Sequence, residues 1–281
     1  MSLKDYLSLI RIQNSMMMGI AVIVGSVIAG GTSVFHANLY ALILGFSTGF
    51  FLTAASMALN DIYDIEIDKI NAPQRPLPSG RISIRDAWAI FIVLSAIGLF
   101  SSLFISKLSF AIAFASWALS TLYNARLKRT GLPGNMIVSY NVMIPILFGA
   151  AIINQLSYRI AIFSVMIFLA CLGREIVKGI ADVEGDKQKG IKTLAVMKGE
   201  RKAAIVASLL VLTAVGLSPV PYLSGIASAY YLITVAITDL LFIYSVVIIM
   251  RAQDKGSALK SKKIMLLAMA LGLLAFLVSN I

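Results

Sequence analysis

Apolar runs of about 20 residues recur along this chain from end to end, and they restrict its fold more than any motif does. A hydrocarbon core ~30 Å thick takes about 20 apolar residues to cross as a helix. Backbone groups inside lipid find no water, so each such segment must pair its own amides and carbonyls. The runs are continuous rather than alternating, which argues against a membrane barrel. With 59% hydrophobic and 13% charged residues, the chain is also too apolar for a soluble domain. We expect an all-α membrane protein of nine transmembrane helices, at about 14–34, 38–60, 86–105, 108–126, 135–153, 158–180, 202–219, 226–250 and 263–280. No linker divides residues 1–281, so they form one membrane domain.

Charge sets the expected orientation. If the first helix starts in the cytoplasm, 22 of the 24 Lys and Arg fall in inside segments, leaving only Lys107 and Arg159 outside. That asymmetry is the positive-inside pattern. It puts the N-terminus in the cytoplasm, the C-terminus outside, and the protein in the cell membrane as a multi-pass chain. The net charge of +11 is then topological and needs no nucleic-acid partner. The first run is too long for a signal peptide and should remain as a span. Cys171 is alone, so it makes no internal disulfide, and one histidine, His36, cannot build a His-based metal site. Met16, Met17 and Met18 read as flexible apolar packing.

The polar chemistry gathers on the inside loops, where a rigid scaffold positions functional side chains. The chain has 13 Asp and Glu, and seven lie in two short stretches: Asp61, Asp64, Glu66 and Asp68, then Asp182, Glu184 and Asp186. Each stretch follows a long apolar run. Asn60, Asp64 and Asp68 are spaced four apart on one helix face, as are Asp182 and Asp186. Asp64 and Asp68 recur as Asp182 and Asp186 at one constant offset, with four expected helices between them, so both pairs emerge on the same side. Like charges four apart repel, and a cation is needed to hold them. Hard oxygen ligands suit Mg²⁺, which takes one or two carboxylates, waters and substrate phosphate oxygens. Arg174, Lys178 and Asp182 share a further face, where cations beside a metal could grip phosphate. Solvated helix ends and an internal ion-pair ladder are the plainer alternatives. The loop Pro73-Gln74-Arg75-Pro76-Leu77-Pro78-Ser79-Gly80 should be stiff and folded back.

These residues resemble the UbiA-type intramembrane prenyltransferases. Asn60-Asp61-x-x-Asp64-x-x-x-Asp68 is similar to the family's first aspartate-rich motif, and Asp182-x-x-x-Asp186 to its second. The proline-rich loop, Tyr123-Asn124 before a basic loop, and the stretch Gly173-Arg174-Glu175 through Lys178, Asp182, Asp186, Gly190, Lys192 and Leu194 agree, the last most closely with the family's archaeal ether-lipid branch. The resemblance implies nine helices around a central cavity and an active face toward the cytoplasm. It implies Mg²⁺ as cofactor, held by Asn60, Asp61, Asp64, Asp68, Asp182 and Asp186, with Asp64, Asp68, Asp182 and Asp186 catalytic. Substrate binding falls to Arg11, Asn14, Arg75, Tyr123, Lys128, Arg174, Lys178 and Lys192. Many family members place a lysine four residues after the tyrosine. Here that position is Leu127, which leaves Lys128 or Arg126 to take the role.

The implied reaction moves a geranylgeranyl group from its diphosphate to the free glycerol hydroxyl of geranylgeranylglyceryl phosphate, both lipids entering from the bilayer. Extra cations would meet the acceptor's phosphate, with Arg75, Arg81, Lys128 and Lys192 as candidates. Two other readings compete. An aromatic prenyltransferase would use the same diphosphate machinery on a ring acceptor. A cation-coupled transporter would explain Asp239, near the centre of the eighth run, although a single polar partner would explain it equally well.

Overall fold

Each apolar run closes its own backbone hydrogen bonds as a helix. The computed structural model describes residues 2–188 and 190–280; Lys189, assigned above to an inside loop, lies outside them. The long helices are α1 (Ile12–Gly30), α2 (Leu39–Tyr63), α3 (Ile84–Leu103), α4 (Lys107–Ala125), α5 (Leu132–Ala151), α6 (Tyr158–Ala181), α7 (Glu200–Leu217), α8 (Ala229–Arg251) and α9 (Lys255–Leu277). Among the described residues, α1 to α8 are long and apolar enough to cross a membrane. The ninth, α9, matches them with 23 residues but opens on Lys255, Lys260, Lys262 and Lys263. Its start lies well before the expected residue 263, because lysine and alanine favour helix and Asp254 caps the first turn, accepting from Ser257 N at 3.0 Å. Serine caps do the same for α3, α4 and α8 through Ser83, Ser106 and Ser228.

Lipid offers no hydrophobic drive between helices, so close packing depends on small residues. At the α1–α5 crossing, Gly25 and Gly149 let backbone meet backbone: a Cβ on Gly149 would lie 2.1 Å from the Val22 carbonyl oxygen. Ser26 Oγ donates to the Gly149 carbonyl at 2.7 Å across the same contact. Consecutive helices pair as α2–α3, α6–α7 and α8–α9, and α9 touches both α6 and α1, so the chain returns on itself. Outward faces are apolar, as in Ile233, Ile237 and Leu240 of α8. Cys171 is buried in α6 and His36 is exposed between α1 and α2.

Asp239 has a structural partner. Ser218 Oγ donates to it at 2.5 Å, and Tyr231 donates its hydroxyl to the Ser218 carbonyl at 2.7 Å, tying the end of α7 to α8.

Candidate active site

Two helices stop at an aspartate. Asp64 ends α2 with φ −95° and ψ 3°, and Asp182 ends α6 with φ −106° and ψ 9°. Both lie close to the sparsely populated bridge region, where many active-site residues sit. A short helix follows each break, Ile65–Asn71 and Val183–Gln188. The four-residue backbone bonds run on through the breaks: Asp64 N to Asn60 O at 3.0 Å and Asp68 N to Asp64 O at 2.8 Å, then Asp182 N to Lys178 O at 3.1 Å and Asp186 N to Asp182 O at 2.9 Å. The repeat seen in the sequence therefore has a matching repeat in backbone shape.

The first cluster is buried, with Asp61 at 2%, Asp64 at 9% and Asp68 at 6% exposure. Carboxylates held out of water need partners, and each has one. Arg11 Nη2 donates to Asp61 at 2.8 Å and to the Asn60 side-chain oxygen at 3.3 Å. Arg75 Nη1 donates to Asp68 at 2.5 Å and lies 3.6 Å from Asp61. Lys128 pairs with Asp64. Arg11 does this from a left-handed backbone, φ 45°, at the N-cap of α1, a conformation costing a non-glycine residue about 1–3 kcal/mol.

Local folding places these cations. The proline-rich loop folds back as expected: Ser79 N bonds to Arg75 O at 3.1 Å and Ile82 N to Pro76 O at 3.1 Å. Leu77 and Ile82 are buried with Leu9, Ala58 and Ile62, which holds Arg75 against the end of α2. Arg81, offered above as a phosphate cation, is engaged elsewhere: its Nε donates to Asp5 at 2.7 Å and its Nη2 to the Gln74 carbonyl at 2.6 Å. Lys128 lies in a 3₁₀ turn, Leu127–Thr130. It takes Asp64, whereas Arg126 is exposed.

The second cluster is more open: Asp182 is exposed and Asp186 half-buried. Behind it Glu175, 7% exposed, bridges Arg174 at 3.2 Å and Lys178 at 3.3 Å. The ion-pair ladder and the cationic face are thus both present. Arg174 Nε is buried with no hydrogen-bond partner among the described residues. Tyr123 lies in electrostatic reach of residues from both motifs' surroundings, Lys178, Glu175, Asp64 and Asp186. The loops meet as well, with Lys192 N donating to Arg129 O at 3.4 Å. Gly131 makes that contact possible, with φ 71° and a position where any Cβ would strike the Lys192 carbonyl. Lys192 and Asn14 are themselves exposed.

Among the described residues no three carboxylates gather closely enough to cage an ion. The donor set still fits Mg²⁺, which is usually held by one or two carboxylates together with substrate phosphates. The sequence reading gave no site role to Asn124 or Lys262, and Glu175, read from the sequence as a partner of Arg174, reaches further than that. Asn124 accepts from Asn60 at 3.0 Å, Glu175 bridges its two cations, and Lys262 of α9 interacts electrostatically with Asp182, Lys178, Arg174 and Glu175. Of the two without a role, only Asn124 carried a signal, through its place beside Tyr123.

A membrane-spanning helical bundle with two acidic helix ends, each attended by cations, is the architecture of an intramembrane prenyltransferase. Residues 18–278 match the UbiA prenyltransferase family, and the chain belongs to it. It is 39% identical to the digeranylgeranylglyceryl phosphate synthase of Archaeoglobus fulgidus, covering 98% of this chain and 96% of that protein. A solved structure described as giving insights into digeranylgeranylglyceryl phosphate synthase in membranes has a TM-score of 0.80 and 38% identity, covering 99% of this chain and 98% of the other. A UbiA homolog from Archaeoglobus fulgidus bound to DMAPP and Mg²⁺ shares the fold, with a TM-score of 0.72 and 21% identity, covering 97% of this chain and 99% of that one.

Proposed function

We propose that this protein transfers a geranylgeranyl group from geranylgeranyl diphosphate to the free glycerol hydroxyl of geranylgeranylglyceryl phosphate, forming the second ether bond of an archaeal membrane lipid. The observation that carries the reading is the junction of the two motifs: Lys128, which pairs with Asp64 of the first, lies in the turn whose Arg129 carbonyl accepts from Lys192 N at 3.4 Å, in the loop that follows Asp186 of the second. Near-full-length identity to a digeranylgeranylglyceryl phosphate synthase supports the choice of acceptor.

Asp64, Asp68, Asp182 and Asp186, with Asn60 and Asp61, would hold Mg²⁺, which when bound would supply stabilisation of the charge on the departing diphosphate. Arg11, Arg75 and Lys128 exchange part of their hold on the carboxylates for diphosphate oxygens, and they stabilise the same developing charge. Arg174, Lys178 and Lys192 serve phosphate on the second motif's side. Apolar helix walls exclude water from the allylic centre, so that the glycerol hydroxyl attacks in its place. All nine helices span the cell membrane, with the N-terminus and both motifs cytoplasmic and the C-terminus outside. The substrates' tails enter sideways from the bilayer.

The test is direct. Purified protein is incubated with geranylgeranyl diphosphate, Mg²⁺ and either geranylgeranylglyceryl phosphate or an aromatic acid, and products are identified by mass. The diether phosphate is expected. Prenylated 4-hydroxybenzoate or naphthoate, with no diether, would overturn the reading.

A further inference from the structure

We propose that Lys262 of α9 completes, with Arg174 and Lys178 of α6, a subsite for a lipid phosphomonoester, the headgroup of the acceptor; this rests on the function proposed above. The argument starts with register. Ala258 and Met265 of α9 are fully buried in the cluster that includes Ile176, Val177 and Ile180 of α6, and Met269 packs against it. Lys262 falls on that face, four residues after Ala258 and three before Met265. Its neighbours differ: Lys260 lies over the Tyr244 ring at 6.0 Å, and Lys263 is exposed. Lys262, on the face packed against α6, lies in electrostatic reach of Asp182, Lys178, Arg174 and Glu175.

Charge bookkeeping gives the ligand. Three cations gather at the α6–α9 packing against two carboxylates: buried Glu175, already shared by Arg174 and Lys178, and exposed Asp182, in electrostatic reach of Lys262. Lys262 makes no ion pair of its own among the described residues. Arg174 keeps a buried Nε without an acceptor, and leaving such a donor unmet is costly. A group with several acceptor oxygens and about two negative charges meets both demands, and a phosphomonoester near neutral pH is such a group. The first motif's cations, by contrast, are each matched to a carboxylate. The two phosphate-bearing substrates thereby draw on different cations: the diphosphate on Arg11, Arg75 and Lys128, the acceptor phosphate on Arg174, Lys178 and Lys262.

The test compares Lys262→Gln, Lys262→Arg and the control Lys263→Gln with the parent enzyme. Steady-state kinetics are combined with thermal-shift titration of each purified protein by geranylgeranylglyceryl phosphate and by its dephosphorylated alcohol. Lys262→Gln should raise the acceptor's KM at least ~10-fold, the scale of one charge-assisted hydrogen bond, and leave that of geranylgeranyl diphosphate within about twofold. It should also lose the preference for the phosphorylated lipid in the titration, while melting like the parent without ligand. Lys262→Arg should restore most of both, and Lys263→Gln should change neither. An unchanged acceptor KM, or equal rises for both substrates, overturns the subsite and leaves the function standing. A parent enzyme that makes no diether from this acceptor overturns the function itself, and the subsite with it.

Discussion

A carboxylate as buried as Asp61 survives because Arg11 and Arg75 both reach it, and removing one partner of a buried pair commonly costs about 3–5 kcal/mol. Residues in this site therefore hold charge for one another, and conservative replacements separate charge from shape. Asp64→Asn and Asp182→Asn should each lower turnover at least ~10²-fold, the scale of losing one charge-stabilising element. Asp254→Asn should be nearly silent, because asparagine caps a helix as well as aspartate does. Equal losses at all three positions would point to general destabilisation. For phosphate binding, Lys178→Met should impair turnover in a protein that stays folded in detergent. Arg174→Lys should also be damaging, since an ammonium does not reproduce a planar guanidinium. Normal kinetics in both variants would remove these residues from the site. The acids and most of their cations were legible in the sequence because helix spacing runs through both breaks. The choice of Lys128 over Arg126 was not: α4 ends at Ala125 and a tighter 3₁₀ turn resets which side chain faces Asp64. Lys262 was hidden for another reason, since its partners are set by how α9 packs on α6.

Among elements, the helices were read from apolar runs to within a few residues, except where chemistry replaced hydropathy. The lysine-bearing start of α9 looked like loop and is capped helix, and α2 runs past Asn60 to Tyr63. Which helices touch was not legible, because small residues mark close crossings without naming the partner. The α1–α5 crossing gives a sharp test. Gly149→Ala places a Cβ 2.1 Å from the Val22 carbonyl oxygen and 2.8 Å from Ser26 N, an overpacking of the kind that costs about 1–3 kcal/mol or more. It should lower the detergent melting temperature. Gly216→Ala in α7, with nothing within 4 Å of the new methyl, should raise it slightly; similar melting of both variants would refute this account of the crossing. The N-terminal helix Leu3–Leu9 is pinned differently. The Ser2 hydroxyl, then Arg81, hold the Asp5 carboxyl from 3.8 down to about 2. A depressed acid pKa stabilises the fold fully above the ordinary value and loses that contribution as pH falls through the folded one. The melting difference between the parent and Asp5→Asn should therefore be constant above about pH 5 and shrink between pH 3.8 and 2. A pH-independent difference would mean the pin is not electrostatic.

For the molecule as a whole, the governing fact is that the acids of its first motif are neutralised internally before any ligand arrives. Arg11, Arg75 and Lys128 occupy the first motif, Asp182 stands open on the second, and among the described residues no three carboxylates form a cage. At the first motif a divalent ion alone would have to displace a cation from a buried carboxylate and leave that cation unpaired, which is unfavourable. A diphosphate would change the balance, because its oxygens would supply ligands for Mg²⁺ and would also receive the displaced guanidinium and ammonium groups. Metal and diphosphate should therefore bind together. Calorimetric titration with Mg²⁺ should show little heat until an unreactive diphosphate analogue is present, and the analogue should bind poorly in excess chelator. Chelation should abolish turnover and added Mg²⁺ restore it. Tight Mg²⁺ binding by the protein alone would show that the carboxylates rearrange into a preformed cage, and full turnover in excess chelator would remove the metal from the mechanism.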